Sequence, residues 1–208
     1  MKNFILVENP LVKRDVTILR DVRTDSPGFR SALNRVSYSI AIEICKSFEL
    51  TDFEVQTPLE KTRGYKLSKQ IILVPVLRAG LSMVSSFLEM IPDANVGHIG
   101  LQRDEKTLQP IDYYYKTPKN LDESVTIVLD PMLATGGSAV ASFNSLKQKG
   151  ANKCILACLI AAPEGIAKMY EEHPDIPVYS ASLDRELNSN GYILPGLGDA
   201  GDRTFGTL

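Results

Sequence analysis

The residues best suited to chemistry lie between positions 125 and 138, where an apolar run ends in Asp130 and small residues follow. The run reads Val-Thr-Ile-Val-Leu-Asp, and positions 134–138 read Ala-Thr-Gly-Gly-Ser. In an open α/β sheet the carboxyl ends of the strands face the ligand crevice. A turn of this composition directs backbone N–H groups and two hydroxyls at one point, and a following helix adds about half a positive charge there. The pattern predicts a phosphate cradle, with Asp130 placed to accept hydrogen bonds from sugar hydroxyls.

The two glycines of this turn let the backbone approach a ligand closely and adopt a positive φ. We expect Gly137 to need that conformation, so that a β-branched residue there would both disfavour the turn and block the anion. The turn is not a Walker A loop, because no lysine follows the glycines. The alternative is a tight strand-to-helix turn without a ligand, but Thr135 and Ser138 close to Asp130 favour the phosphate site.

A second anion-binding position is predicted where the apolar run 71–76 leads into Arg78, Ala79 and Gly80 at the start of a helix. An arginine guanidinium pairs with phosphate as a bidentate donor. Arg103 begins a polar, aromatic segment over 103–121 that we expect to form a hairpin or a mobile arm, mobile over 104–116 without ligand, and to close over the anion. A solvated surface charge is the alternative role for each arginine.

The elements that must position these residues alternate between β and α patterns. Ser26 as cap and Pro27 in the first turn predict a helix that continues to about residue 48. Short β-type runs occur at 53–59, 71–76, 96–102, 111–116, 125–130, 154–161 and 177–182. Helical patterns lie between several of them, at 80–91, 137–149 and 164–172. The continuously apolar runs indicate strands covered on both faces, so the fold class is α/β, with a parallel central sheet flanked by helices.

We expect a single domain over residues 1–208. It has a helical N-terminal segment at about 1–50, an arm at about 103–121 and a glycine-rich, aperiodic segment at about 184–208. The composition, 44% hydrophobic and 23% charged, excludes disorder as the main state. The net charge of −2 argues against a nucleic-acid partner. No apolar run reaches the ~18 residues of a transmembrane helix, and the N-terminal apolar stretch is too short for a signal peptide, so we expect no membrane association and a cytoplasmic location.

Cysteine and histidine chemistry is not expected here. The odd number of cysteines argues against a disulfide scaffold, and Cys154 and Cys158 lie in an apolar run typical of a buried core. His98 belongs to a strand-like stretch and His173 precedes a proline at a helix end, so neither is suited to be a catalytic base.

Four segments together resemble a known family. The pattern Asp-x-x-x-Ala-Thr-Gly-Gly-Ser after an apolar strand resembles the phosphoribosyl-diphosphate (PRPP) loop of type I phosphoribosyltransferases. The segments at 74–80, 100–104 and 192–203 extend the resemblance to the uracil phosphoribosyltransferases; they read Val-Pro-Val-Leu-Arg-Ala-Gly, Gly-Leu-Gln-Arg-Asp and Tyr-Ile-Leu-Pro-Gly-Leu-Gly-Asp-Ala-Gly-Asp-Arg. The resemblance covers essentially the whole chain, and its C-terminal segment is the most specific part.

This resemblance implies the type I phosphoribosyltransferase fold, with a β-arm excursion and a base-binding segment at 184–208, here called the C-terminal hood. It implies transfer of the 5-phosphoribosyl group of PRPP to N1 of uracil, giving UMP and diphosphate. The residues it assigns to PRPP are Arg78, Arg103, Asp130, Pro131, Met132, Leu133, Ala134, Thr135, Gly136, Gly137, Ser138 and Asp199. Those it assigns to uracil are Ile193, Gly198, Asp199 and Ala200. Its catalytic candidates are Asp130, Asp199 and Arg103, and the N1 proton acceptor stays open between Asp130, Asp199 and diphosphate.

The resemblance also bears on metal and partners. Most type I enzymes carry two adjacent acids where this chain has Asp130 and Pro131, so we expect no direct protein ligand to Mg²⁺, which would bind mainly through PRPP. The resemblance implies a homo-oligomer, a dimer or higher. Some members of the family respond to GTP, and the sequence leaves open whether this chain does.

Two other functions account for parts of the sequence. The run from Gly196 to Gly201 matches G-x-G-x-x-G, but a dinucleotide-binding fingerprint needs a following βαβ unit and only seven residues follow Gly201. A non-enzymatic nucleotide-sensing regulator on the same fold is the remaining alternative. An RNA-binding regulator would favour a basic surface, which this chain lacks, whereas the intact C-terminal segment favours an enzyme.

Overall fold

The computed structural model describes residues 3–103 and 110–207, with side chains described outside 101–113. The helices of this part of the chain are α1 Pro10–Arg20, α2 Ser26–Cys45, α3 Leu81–Met90, α4 Gly137–Gln148, α5 Pro163–Glu172 and α6 Ala200–Phe205. Its strands are β1 Phe4–Leu6, β2 Leu50–Gln56, β3 Lys61–Leu67, β4 Ile71–Leu77, β5 Asn95–Val96, β6 His98–Arg103, β7 Pro110–Lys116, β8 Val125–Leu129, β9 Met132–Leu133, β10 Lys153–Ala161, β11 Val178–Leu183, β12 Glu186–Leu187 and β13 Ile193–Leu194.

The central sheet has the strand order β1-β11-β10-β8-β4-β6-β7, with β5 beside β4 and β9 beside β10. Its described pairs are parallel apart from β6 with β7. Helices α1, α2 and α3 pack on one face, and α4 and α5 pack on the other. In β4, Ile71 and Leu73 enter the first core while Ile72 and Val74 enter the second, so both faces of the strand are apolar. The predicted α/β architecture with a parallel sheet flanked by helices is confirmed.

The N-terminal segment contains more structure than its pattern predicted. Helix α2 begins at Ser26 as expected, but its cap is Asp25, whose carboxylate accepts the Gly28 N–H at 2.8 Å. The helix ends at Cys45 rather than at 48. Helix α1 was missed, as was strand β3, which pairs antiparallel with β2 over 50–56 to form a hairpin separate from the central sheet.

The arm is a hairpin where the structure describes it. Strands β6 and β7 pair antiparallel, with a register irregularity between Gly100 and Leu101. Residues 104–109 lie outside the described part of the chain, as does the side chain of Arg103, so the predicted mobility of 104–116 and the closing role of Arg103 stay predictions.

The C-terminal hood is more ordered than its glycine content suggested. It contains the antiparallel pair β12–β13 and the helix α6. The Arg203 guanidinium donates to the carbonyls of Leu19, Leu197, Asp21 (2.7 Å) and Thr24 (3.3 Å) and lies 4.5 Å from the ring centre of Phe29. The hood therefore contacts the N-terminal helices directly, across separations of 182 and 184 positions from Arg203 to Asp21 and Leu19.

No helix in the described ranges has both the length and the apolar character that a bilayer crossing requires.

The two cysteines of β10 are buried as predicted, and burial raises the pKa of Cys154 to about 11 and that of Cys158 to about 12. Both thiols are therefore inert core groups.

Candidate active site

A cleft of about 550 Å³ opens at the carboxyl ends of β4 and β8 and brings together three of the segments selected from the sequence. The turn after β4, the loop after β8 and the hood form its walls. The residues that line it are 76–79, Asp130, 132–136, Ser138, Ala139, Ile160, 190–193 and 195–199. Most of the predicted site residues therefore face one space, as expected for strand ends in a parallel sheet.

The loop after β8 is anchored to the neighbouring strand. The Pro131 carbonyl accepts the N–H groups of both Leu159 (2.9 Å) and Ile160 (3.1 Å). Short strand β9 then pairs again with β10, and the Leu133 carbonyl accepts the Ala162 N–H at 2.9 Å. The backbone thus shifts sideways after Asp130 and leaves the sheet edge only at residue 134, directly before helix α4.

Gly136 supplies the left-handed residue of this loop. It has φ +81°, and a Cβ there would lie 3.0 Å from the Gly165 carbonyl oxygen and from the Cβ of Lys168. The expectation that Gly137 needs a positive φ is wrong. Gly137 is the first residue of α4, and the nearest atom to a Cβ built on it is the Thr135 Oγ1 at 3.7 Å. One left-handed residue is enough to turn the chain into the helix.

The N-terminus of α4 is suited to an anion. The first N–H groups of a helix have no partner within it, and α4 has twelve residues to align its peptide dipoles. The hydroxyl of Thr135 accepts the Gly137 N–H at 3.5 Å, a long contact that a stronger acceptor could replace. Ser138 also lines the cleft. The loop 134–138 therefore provides hydrogen-bond donors, and its small side chains leave room for a phosphate group beside them.

Asp130 lies half-buried on the floor of the cleft. Burial raises its pKa to about 7, and the Met132 N–H, 3.5 Å from Oδ1, opposes this only weakly. A carboxyl group that titrates near neutrality can accept hydrogen bonds from hydroxyls or take up a proton.

Arg78 follows β4 through a cis Leu77–Arg78 peptide and stands at the cleft wall. Its Nη2 donates to Oδ1 of Asp202 in α6 at 3.0 Å, and the side chain is 58% exposed. Asp202 also accepts the Thr207 hydroxyl at 2.6 Å, and the hydrogen bonds from Thr207 and Arg78 lower its pKa. The guanidinium is therefore held by a solvent-facing carboxylate at the cleft edge.

The hood contributes mainly backbone. Ile193, Gly198 and Asp199 line the cleft, and a cis Leu194–Pro195 bond precedes Gly196. Gly196 has φ +66°, and a Cβ there would lie 2.2 Å from the Ile193 carbonyl oxygen. The Asp199 carboxylate caps α6 by accepting the Asp202 N–H at 2.9 Å.

Three predicted residues do not line the cleft. Pro131 and Ala200 are buried, and Gly137 is turned into the first turn of α4. Conversely, Ile160 lines the cleft although it lies in none of the predicted site segments, and Asn190 lines it from within the predicted hood without having been named individually. Ile160 carries no chemical signal in the sequence; it reaches the cleft beside Met132, its pairing partner in β9.

The side chains near the cleft decide how a Mg²⁺ ion could be held there. In the part of the chain that the structure describes, no group of three or more His, Cys, Asp or Glu side chains is arranged to hold an ion. Pro131 supplies no second carboxylate beside Asp130. This arrangement fits a Mg²⁺ held mainly by the oxygens of a phosphorylated ligand and by water, since Mg²⁺ keeps several waters and needs only one or two carboxylates.

Comparisons with known proteins agree with this geometry. The family model described as uracil phosphoribosyltransferase matches residues 6–207. A uracil phosphoribosyltransferase from Finegoldia magna is 51% identical over 208 residues, covering 100% of both chains. The solved structure of the AQ2163 protein from Aquifex aeolicus has a TM-score of 0.91 at 34% identity and covers 97% of each chain. A purine phosphoribosyltransferase from Pyrococcus horikoshii, 15% identical with a TM-score of 0.54 over 74% of this chain and 84% of its own, shares the fold. The chain belongs to the uracil phosphoribosyltransferase family.

Proposed function

We propose that this chain transfers the 5-phosphoribosyl group of PRPP to N1 of uracil, giving UMP and diphosphate. The observation that carries the proposal is the cleft itself. The amino end of α4, the Asp130 carboxyl and Arg78 line it together with the glycine-rich backbone of the hood. A phosphorylated sugar and a flat base with polar edges need these two kinds of surface side by side.

PRPP is assigned to the side formed by the strand ends. Its 5′-phosphate binds the loop 134–138 at the start of α4, where N–H groups and hydroxyls converge. The ribose hydroxyls donate to Asp130, and the diphosphate lies toward Arg78 and Arg103. Arg78 can leave its half-buried partner Asp202 for the diphosphate, because ion pairs at the surface are weak and a multiply charged anion competes well.

Uracil is assigned to the hood. Ile193, Gly198 and Asp199 line the cleft and offer main-chain donors and acceptors, and the absence of side chains at Gly196 and Gly198 lets the backbone lie against the edge of the base. The base then faces C1 of the ribose from the side opposite the diphosphate.

The reaction requires positioning and charge stabilisation more than covalent participation of the protein. The C1–O bond breaks with its electron pair going to diphosphate, and uracil N1 forms the new bond to C1. When bound, Mg²⁺ supplies neutralisation of the diphosphate charge. Of the two candidate carboxylates for the N1 proton, Asp199 is engaged as the cap of α6, whereas Asp130 titrates at about 7. Asp130 is therefore the better suited of the two.

The remaining expectations concern partners and location. A homo-oligomer is supported by the β2–β3 hairpin, which pairs with no other described strand and exposes Phe53 and Tyr65. A response to GTP and a cytoplasmic location stay predictions.

The test is formation of UMP from uracil, PRPP and Mg²⁺ by the purified protein, with the Asp130→Asn variant as control. Wild-type protein should form UMP and diphosphate in equal amounts, and the variant should lose most of this activity while keeping a native circular dichroism spectrum. A folded wild-type protein that forms no UMP would contradict the proposal.

A further inference from the structure

A buried ion pair lies behind the hood turn, outside the cleft. Asp184 follows β11 and is 5% exposed, and Arg20 is the last residue of α1. Both terminal nitrogens of Arg20 donate to the Asp184 carboxylate, Nη1 to Oδ2 at 2.8 Å and Nη2 to Oδ1. Ser182 closes the arrangement, because its hydroxyl accepts from Arg20 Nη2 at 2.9 Å and donates to Asp184 Oδ1 at 2.8 Å.

The same pair binds both polar backbone groups of Gly196. The Gly196 N–H donates to Asp184 Oδ2 at 2.9 Å, and the Gly196 carbonyl accepts from Arg20 Nη1 at 3.0 Å. Gly196 is the left-handed residue whose neighbours 197–199 run along the cleft wall. One turn of the base-binding segment is therefore fastened at its centre by two charged groups that do not line the cleft.

We propose that Arg20 and Asp184 are positioning residues for the nucleobase: they fix the backbone of Gly196 and so hold the hood turn in the position in which its main chain contacts uracil. This inference rests on the proposed function. Neither residue touches substrate, and their effect passes through the main chain of 195–199.

The physical argument is that charge-assisted hydrogen bonds in a buried site are short and strong. Burial alone would raise the pKa of Asp184, yet hydrogen bonds from Arg20, Ser182 and Gly196 outweigh it and hold that pKa below its ordinary value. The carboxylate is thus ionised and saturated with donors. A neutral side chain at this position would leave the Gly196 N–H with a weaker acceptor and Arg20 without its counter-charge.

The chain offers a matched control on the same helix. Asp15 of α1 is 2% exposed and is paired with Arg35 of α2, whose Nη2 lies 2.8 Å from Oδ1. This ion pair joins α1 to α2 and has no described hydrogen bond to the hood. Its loss reports what removing a buried carboxylate of α1 from its arginine partners does to stability alone.

The experiment compares Asp184→Asn with Asp15→Asn by steady-state kinetics, by calorimetric PRPP binding and by melting temperature. For Asp184→Asn we expect the uracil KM to rise roughly tenfold or more, since a charge-assisted contact is lost. The Kd of Asp184→Asn for PRPP should stay within about twofold of the wild-type value. In Asp15→Asn both the uracil KM and the Kd for PRPP should stay within about twofold of wild type, even if its melting temperature falls as much as that of Asp184→Asn. A uracil KM of Asp184→Asn within about twofold of wild type overturns the proposal. An equal rise in Asp15→Asn overturns it as well.

Ser182→Ala provides a milder variant if Asp184→Asn does not fold. It removes one hydroxyl of the arrangement and should raise the uracil KM by roughly threefold with PRPP binding unchanged, as expected for loss of a neutral hydrogen bond; an unchanged uracil KM overturns the proposal. Wild-type protein without UMP formation would refute the proposed function and this inference with it. Active wild type with normal variants would refute the inference alone.

Discussion

Arg78 on the cleft wall donates to Asp202 of the hood helix across 3.0 Å, so the phosphate side and the base side of the cleft are joined by one exposed ion pair. Asp202 is also hydrogen-bonded by Thr207. Because solvent screens this ion pair, the pair orients the guanidinium but binds it only weakly. On the proposed function, a diphosphate entering the cleft would therefore take Arg78 from Asp202 at small cost.

Replacing Arg78 by alanine should weaken the use of PRPP and leave the fold intact. Loss of a charge-assisted contact should lower kcat/KM for PRPP roughly tenfold to a hundredfold. Arg63→Ala is the matched control, because Arg63 is an exposed arginine paired with Asp52 at 3.2 Å on the β2–β3 hairpin and does not line the cleft. Steady-state kinetics on both folded variants decide the matter, and an unchanged kcat/KM in Arg78→Ala would remove this residue from the site.

Gly136 and Gly137 should respond differently to alanine. Gly136→Ala puts a Cβ on a left-handed residue, which should lower the free energy of unfolding by about 1–2 kcal/mol and weaken PRPP binding. Gly137→Ala places its Cβ in ordinary van der Waals contact with the Thr135 Oγ1 at the start of a helix, where alanine is favoured over glycine, and should leave the free energy of unfolding within about 0.5 kcal/mol of wild type. Urea denaturation and calorimetry with PRPP provide the comparison. Equal destabilisation by the two variants would show that the left-handed turn at Gly136 is not the constraint.

The raised pKa of Asp130 predicts a specific dependence of stability on pH. An unfolded aspartate titrates near 3.9, whereas Asp130 in the fold titrates at about 7. Between these values the folded protein binds more protons than the unfolded chain, so this group makes stability fall as pH rises and imposes its full cost above pH 7.

Asp130→Asn removes that cost. The free energy of unfolding of the variant should therefore exceed that of wild type by an amount that grows as pH rises from 4 to 7 and reaches about 2 kcal/mol. The full shift in pKa at ~1.4 kcal/mol per unit would give more, but water in the cleft screens the carboxylate and reduces the effect. It should lose most of its activity at the same time. Denaturation midpoints at pH 5 and pH 8 test this, and a stability difference that does not change between them would mean that Asp130 titrates normally.

Uracil should be preferred strongly over cytosine. Uracil offers an N3–H donor beside an O4 acceptor, and cytosine presents the reverse pattern to main-chain groups that cannot exchange donor for acceptor. Two buried mismatches, at about 1–3 kcal/mol each, predict a discrimination near a thousandfold. Competition between the two bases as substrates measures the ratio, and a cytosine kcat/KM within about tenfold of that of uracil would show that the hood backbone does not select the base.

Much of the anion side of the cleft was predictable, because its signals are local. The run 125–130 is apolar on both faces and is observed as β8 over 125–129, and the glycine turn leads into α4 where it was expected. Helix α1 had a usable signal that was missed: Asn9 accepts the N–H groups of Leu11 and Val12, and Val12, Val16 and Leu19 follow at helical spacing. Its many charged residues masked this pattern.

The base side could not be predicted in the same way. Arg20 and Asp184 are 164 positions apart, and no pattern within either neighbourhood shows that they meet.

In the loop 134–138 the sequence analysis places the left-handed residue at Gly137 rather than Gly136, because two adjacent glycines offer the same conformational freedom. Only packing against Gly165 and Lys168 distinguishes them.

The bonds from Arg203 to the carbonyls of Leu19 and Asp21 span 184 and 182 positions of the chain, whereas the loop 134–138 is anchored on β10 and packs against α5, all within residues 125–172. Loops that long close late in folding, since their closure entropy must be met before the contacts form. Pulse-labelled hydrogen exchange during refolding should therefore show amides of α4 protected before those of α6. That order would mean that the phosphate-binding loop takes shape before the hood that is proposed to select the base.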